Sequence, residues 1–168
     1  EIAVTVNAGY VMPAWYDILE MNALGRKVDH AGIVASVAHI AALIKQQNAL
    51  GIPSSHIFLA GFSQGGAIAY QAALTYPERL AGVIALSTYI PDPAQLEVAF
   101  NPLQSQLPVF AAHGLYDNVV APTLGKQAFE LVTRLGCSTE WHDYPMAHNV
   151  CAEQIEDIGC WLTARLSN

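Results

Sequence analysis

The sequence predicts an α/β fold, with a mostly parallel sheet of about four or five strands and helices on both faces. Three observations predict it. Short apolar runs alternate along the chain with longer segments of helical periodicity. The runs IFLA (57–60), GVIALS (82–87) and PVFAA (108–112) are apolar throughout or nearly so, as strands covered on both faces should be. Glycine and proline fall where these segments change, at Gly51-Ile52-Pro53, Pro77 and Gly136.

The elements follow in order. EIAVTVN alternates Ile2, Val4 and Val6 and could form a strand; it has no basic region or long apolar core, so it does not read as a signal peptide. Asp29 is placed to cap a helix running to about Leu50, with Ile33, Val37, Ile40 and Ile44 at helical spacing. Its apolar part, Ala31 to Ile44, is too short to span a bilayer and reads as a buried helix. HIFLA (56–60) reads as a strand, followed by a helix from Ser63 to about Tyr76. Strands at 82–87 and 108–113 come next, the second begun by Pro108, where a missing N–H costs least. A helix is expected from about Pro122 to Leu135, then a more polar strand, TEWHDY (139–144), at a sheet edge. In the last helix, Ile155, Ile158, Leu162 and Leu166 share one face.

The bulk numbers narrow the function. The 168 residues fit one domain; 53% are hydrophobic and 12% charged, which suits a packed core rather than disorder. The net charge of -7 and seven scattered Lys and Arg argue against nucleic acid and anionic membrane surfaces as partners. Cys137, Cys151 and Cys160 have no metal-like spacing and read as reduced thiols of a cytosolic protein.

In a parallel sheet the chemistry is sought at the carboxyl ends of the strands. The stretch GFSQGG (61–66) lies at such an end and contains Gly-x-Ser-x-Gly between a strand and a helix. That context fits a sharp turn lifting the Ser63 hydroxyl above the sheet, with the Gln64 N–H facing the oxygen that becomes negative in acyl transfer. A serine needs a histidine to accept its proton and a carboxylate to orient the histidine. Asp117, in HGLYDNVV, and His148, in YPMAHNV, each follow a strand, in the order Ser, Asp, His. The plainer alternatives are a helix-capping serine, an Asx-turn aspartate and a solvated loop histidine. His142 and Asp143 point to opposite faces of their strand, and His113 reads as structural. His30, His39 and His56 fall far from the strand tops. No His spacing suits zinc, so no metal is expected.

VTVNAGYVMPAWYDI, IFLAGFSQGGAIA, GVIALSTYIP, HGLYDNVV and EWHDYPMAHNVCAEQIEDIGCWL resemble the bacterial carboxylesterase/lysophospholipase family of α/β-hydrolases. Acyl-protein thioesterases are close relatives of that family. The resemblance implies Ser63 as nucleophile, Asp117 as orienting acid and His148 as base. It also implies hydrolysis of short- to medium-chain carboxylic esters without a cofactor. The segment matching Gly9 to Tyr16 is expected to form a loop beside the acyl pocket, so Met12 and Trp15 either line that pocket or pack the loop onto the core.

The family begins with further strands, one carrying a His-Gly loop that supplies a second oxyanion donor; the expectation is therefore a truncated α/β-hydrolase. It would keep only the Gln64 N–H, and losing one donor typically costs about a hundred- to a thousand-fold in rate. The strand at 57–60 would become an apolar edge, covered by a homodimer or higher oligomer, or by EIAVTVN as a replacement strand. Two further readings are a silent hydrolase fold serving as a binding or assembly module, and a thioesterase or lysophospholipase.

Overall fold

A computed structural model describes residues 1–22 and 25–166. Among the described residues, eight strands and five α-helices follow in the order β1 (Ile2–Val4), β2 (Tyr10–Met12), β3 (Ile18–Asn22), β4 (Gly25–Val28), α1 (His30–Ala49), β5 (Phe58–Phe62), α2 (Gln64–Thr75), β6 (Gly82–Leu86), α3 (Pro93–Ala99), β7 (Pro108–Gly114), α4 (Pro122–Arg134), β8 (Ser138–Tyr144) and α5 (Ala152–Leu166).

The main sheet has four strands in the order β5-β6-β7-β8, every neighbouring pair parallel. Successive residues of β6 and β7 pack on opposite faces. Val83, Ala85, Val109 and Ala111 join the core beneath α2, α3 and α4, which also takes in Ile44 from α1. Ile84, Phe110 and Ala112 face α5, where Trp161 sets its ring edge against Phe110 at 5.9 Å between centroids. Both faces are covered, which is why these strands tolerate unbroken apolar sequence. β8, covered on both faces only in part, carries the more polar sequence and ends the sheet, as expected.

Five expectations need correction. EIAVTVN does not substitute for a strand of the main sheet: β1 pairs antiparallel with β2, Ile2 opposite Met12 and Val4 opposite Tyr10. The segment expected as a loop therefore begins with a strand, and β3 and β4 form a second small antiparallel ribbon. Helix α1 is not buried: Ile33 and Ile44 are, but Val34 is 62% exposed. Asp29 takes the N-cap position without a side-chain cap bond. Its N–H instead donates to Asp17 O at 2.9 Å, which ties the helix start to the segment before β3.

The inner face of α5 holds Ile158 and Leu162, as expected, but not the residues expected at its two ends. Ile155 and Leu166 are 56% and 73% exposed, while Gln154 and Trp161 are buried and Ile158 and Leu162 half-buried. The Trp161 indole donates to Glu140 of β8 at 3.0 Å, so the ring is drawn inward by a polar handle as well as by its area.

Candidate active site

The site lies above the carboxyl ends of β5 to β8. Ser63 joins β5 to α2 with φ 52° and ψ -121°, a conformation that costs a non-glycine residue of order 1–3 kcal/mol. The tail of β6 holds it there. Ser63 N–H donates to Leu86 O at 2.8 Å, and Thr88 Oγ1 donates to Ser63 O at 2.6 Å. The turn is tight enough that a Cβ at Gly61 would collide with the Gly65 carbonyl, and one at Gly66 would lie 2.7 Å from Thr88 Cβ. Only glycine fits either place.

The acid and base loops are laced together by backbone. Leu115 N–H donates to Tyr144 O at 2.9 Å and Tyr116 N–H to Met146 O at 3.0 Å. A side chain at Gly114 would run into the carbonyls of Met146 and Ala147, so this glycine permits the close approach. The Asp117 side chain is fully buried. Its Oδ1 accepts the N–H groups of Val119 and Val120 at 2.9 and 2.8 Å, an Asx turn. Its Oδ2 meets His148 Nδ1 at 2.7 Å. The turn and the contact with His148 thus coexist in one carboxylate.

A carboxylate can only accept, so His148 Nδ1 donates to Asp117, which leaves Nε2 as the ring nitrogen that Asp117 does not engage. The His148 side chain is 16% exposed, and its ring packs against Phe62, the residue before Ser63, at 4.6 Å between centroids. Among the described residues no hydrogen bond joins Ser63 Oγ to this ring. Such bonds are often long in unliganded enzymes and tighten around substrate.

His113 is buried and donates from Nε2 to Val120 O at 2.9 Å, closing the same loop from below, with Asp117 Oδ2 at 3.4 Å. Its ring thus bridges the end of β7 and the loop that carries Asp117. His142 stacks on Phe110 on the α5 side of the sheet, and Asp143 borders a hollow with Lys126 and Trp141 on the α4 side.

A cavity of about 230 Å³ opens beside Ser63 and Gln64, walled by Val4, Met12, Ile18 and Val119. Met12 faces it. Trp15 does not line it: its indole Nε1 lies over Gly65 instead, 3.3 Å from where a Cβ would stand. A larger hollow of about 480 Å³, near Phe58 and Pro108, sits at the opposite ends of the strands, away from Ser63.

Sequence reasoning missed Thr88 and the side chain of Gln64, whose Oε1 accepts Trp15 N–H at 2.9 Å and whose Nε2 donates to Tyr16 O at 2.7 Å. No spacing rule links residues so far apart.

A parallel sheet with a strained serine after β5, an aspartate after β7 and a histidine after β8 defines the α/β-hydrolase class. Residues 1–165 match the phospholipase/carboxylesterase family, and the chain belongs to it. The chain is 40% identical over 172 residues to acyl-protein thioesterase 1 of Mycosarcoma maydis, spanning 95% of this chain and 72% of that protein. It is 39% identical over 176 residues to acyl-protein thioesterase 1 of Neurospora crassa, spanning 98% and 70%. These relatives are eukaryotic, where the motifs alone suggested a bacterial group. The crystal structure of SOBER1 from Arabidopsis thaliana superposes with a TM-score of 0.92 at 29% identity, over 98% of this chain and 80% of that one. Acyl-protein thioesterase 2 of Zea mays gives 0.85 at 25% identity, over 98% and 78%.

Proposed function

We propose that the chain hydrolyses short- to medium-chain carboxylic esters through an acyl-enzyme on Ser63. Ser63 Oγ attacks the ester carbonyl while His148 Nε2 takes its proton. The oxyanion forms against the Gln64 N–H. Collapse expels the alcohol, which leaves with the proton held by His148. Water then attacks the acyl-enzyme, again giving its proton to Nε2, and the acid departs as Ser63 regains a hydrogen. Asp117 holds the imidazole with Nδ1 protonated and balances the positive charge it acquires. The observation that carries this is the 2.7 Å contact between His148 Nδ1 and a buried Asp117 whose other oxygen is already occupied. The test is turnover of p-nitrophenyl butyrate, which Ser63→Ala should abolish; a variant that kept the wild-type rate would overturn the mechanism.

A thioester substrate is a second reading, favoured by the names of the two relatives above. The same steps serve it, with a thiol leaving in place of the alcohol. Comparing kcat/KM for matched octanoyl oxygen and thio esters decides between them. A silent, binding-only role predicts no turnover of either.

The assembly belongs to the same proposal. Among the described residues β5 has a strand neighbour on one side only, although its sequence is that of a covered strand. We place a second copy of the chain on that edge; light scattering that gave a monomer at micromolar concentration would exclude it. A cytoplasmic site suits the three unpaired cysteines, and fractionation of the source cell tests it.

A further inference from the structure

The cavity beside Ser63 is walled on one side by a short strap, Met12, Pro13 and Ala14, and the next three residues decide where that strap lies. Each of the three is tied to a different part of the fold. Trp15 O accepts from Ser36 Oγ of α1. The Tyr16 hydroxyl meets the Tyr89 hydroxyl at 2.6 Å, in the buried segment after β6. Asp17 takes the Thr5 N–H at 2.7 Å on one carboxylate oxygen and the Thr5 hydroxyl on the other.

Gln64 supplies the tie nearest the cavity. Its amide accepts from Trp15 N–H and donates to Tyr16 O, so one side chain fills both functions of a backbone neighbour across two consecutive residues. Both ends of that amide are engaged. One of its two N–H groups is given to Tyr16 O, which points the amide at the strap, and the donor the nucleophile turn supplies to a reacting oxygen is the Gln64 main-chain N–H.

Residue 64 thus has two separable parts. Its main chain belongs to the nucleophile turn, which β6 holds; its side chain holds the residues that follow the strap walling the cavity. We infer that the Gln64 amide is the positioning group that sets acyl-chain selectivity, by clamping the strap at Trp15 and Tyr16 at a fixed distance from Ser63. This assignment rests on the ester hydrolase proposed above.

Substituting methionine keeps the main-chain N–H and nearly the same side-chain length while removing both bonds. Releasing a wall that two hydrogen bonds hold should change the ratio of kcat/KM for octanoyl against acetyl p-nitrophenyl esters by roughly ten-fold. The change should appear mainly as a raised KM for the octanoyl ester, because the loosened wall binds the chain rather than the reacting carbonyl. Ser36→Ala, which touches the strap from α1 and not the reaction, should move the same ratio in the same direction by a smaller factor. Hydrogen exchange gives a readout independent of turnover. The Trp15 amide should lose protection in Gln64→Met while the amides of Ala69 to Leu74 in α2 keep theirs. Equal losses of kcat for both esters with KM unchanged would place the side chain at the reacting atoms and overturn the proposal. Unchanged selectivity, or an unchanged Trp15 exchange rate, would overturn it as well. Fluorophosphonate labelling of the wild-type protein separates the two levels: if Ser63 does not label, the hydrolase reading fails, and if it labels while selectivity stays fixed, only the clamp fails.

Discussion

Thr88→Val tests how the nucleophile turn is held. Valine matches threonine in shape and keeps the methyl contact with the α2 turn at Gly66, so the substitution removes the hydroxyl and little else. The hydroxyl donates to Ser63 O at 2.6 Å. That carbonyl also accepts the N–H groups of Gly66 and Ala67 at 3.0 and 3.2 Å, so losing Thr88 does not leave it unpartnered. The stability cost is then that of one hydrogen bond, about 1 kcal/mol, rather than that of a stranded buried group. For a chain of this size that lowers Tm by roughly 2–4 °C. Activity should fall further. With Thr88 gone, Ser63 N–H to Leu86 O is the remaining tie from β6 to a residue held at φ 52°. A shift of the hydroxyl by about 1 Å can cost a hundred-fold, so kcat/KM for a butyrate ester should drop by about ten- to a hundred-fold. Thermal melting and steady-state kinetics on one preparation make the comparison. Wild-type kcat/KM within two-fold, or a Tm loss above about 10 °C, would refute the reasoning, because the hydroxyl would then be either idle or part of the core.

Three further outcomes are expected. Asp117→Asn can keep the Asx turn through its oxygen while presenting an N–H to His148, which forces the imidazole into the opposite tautomer; kcat should fall by about 10⁴ with Tm within a few degrees of wild type. Gly61→Ala drives a Cβ into the Gly65 carbonyl and should cost about 3 kcal/mol or more, whereas Gly65→Ala meets only the Trp15 indole at 3.3 Å and should be far milder, as paired denaturant melts would show. Burial pushes the Cys137 thiol up to about 11 from 9.0. The unfolded chain then ionises first, so this group's stabilisation is present below about pH 9 and is lost as pH rises towards 11, worth roughly 2–3 kcal/mol. Stability curves of wild type and Cys137→Ala should converge over that window, and thiol reagents should label exposed Cys160 before Cys137.

The parts legible from sequence were those in which a local pattern matches a global constraint. β6 and β7 are apolar because α2 to α4 cover one face and α5 the other, and Pro108, Pro122 and Gly136 mark boundaries that the backbone respects. Ser63, Asp117 and His148 were readable as candidates because each follows a strand; Asp117 and His148 lie in hydrogen-bond contact, and Phe62 sets His148 beside the turn. Less was readable where long-range contacts decide. Gln154 is polar and buried while Ile155 is apolar and exposed, so periodicity found Ile158 and Leu162 on the inner face of α5 but missed its first turn. α3 is seven residues long and is capped by Asp92, whose side chain accepts from Gln95 N–H; a single cap on so short a helix leaves no periodic signal. The β1–β2 and β3–β4 ribbons pair locally and owe nothing to the main sheet. The ties of Thr88 to Ser63 and Gln64 to Tyr16 span 25 and 48 residues, and no motif records them.

The central claim is that Ser63 is a nucleophile activated by His148 and Asp117. Mass spectrometry after exposure to a fluorophosphonate ester tests it most directly, because the reagent bonds to an activated serine without needing the right acyl chain. The account predicts one adduct on the wild-type protein, located at Ser63, absent from Ser63→Ala and formed at least a hundred-fold more slowly in His148→Ala, as removal of a general base requires. An unlabelled wild-type protein, an adduct at another residue, or labelling as fast without His148 as with it would contradict the account.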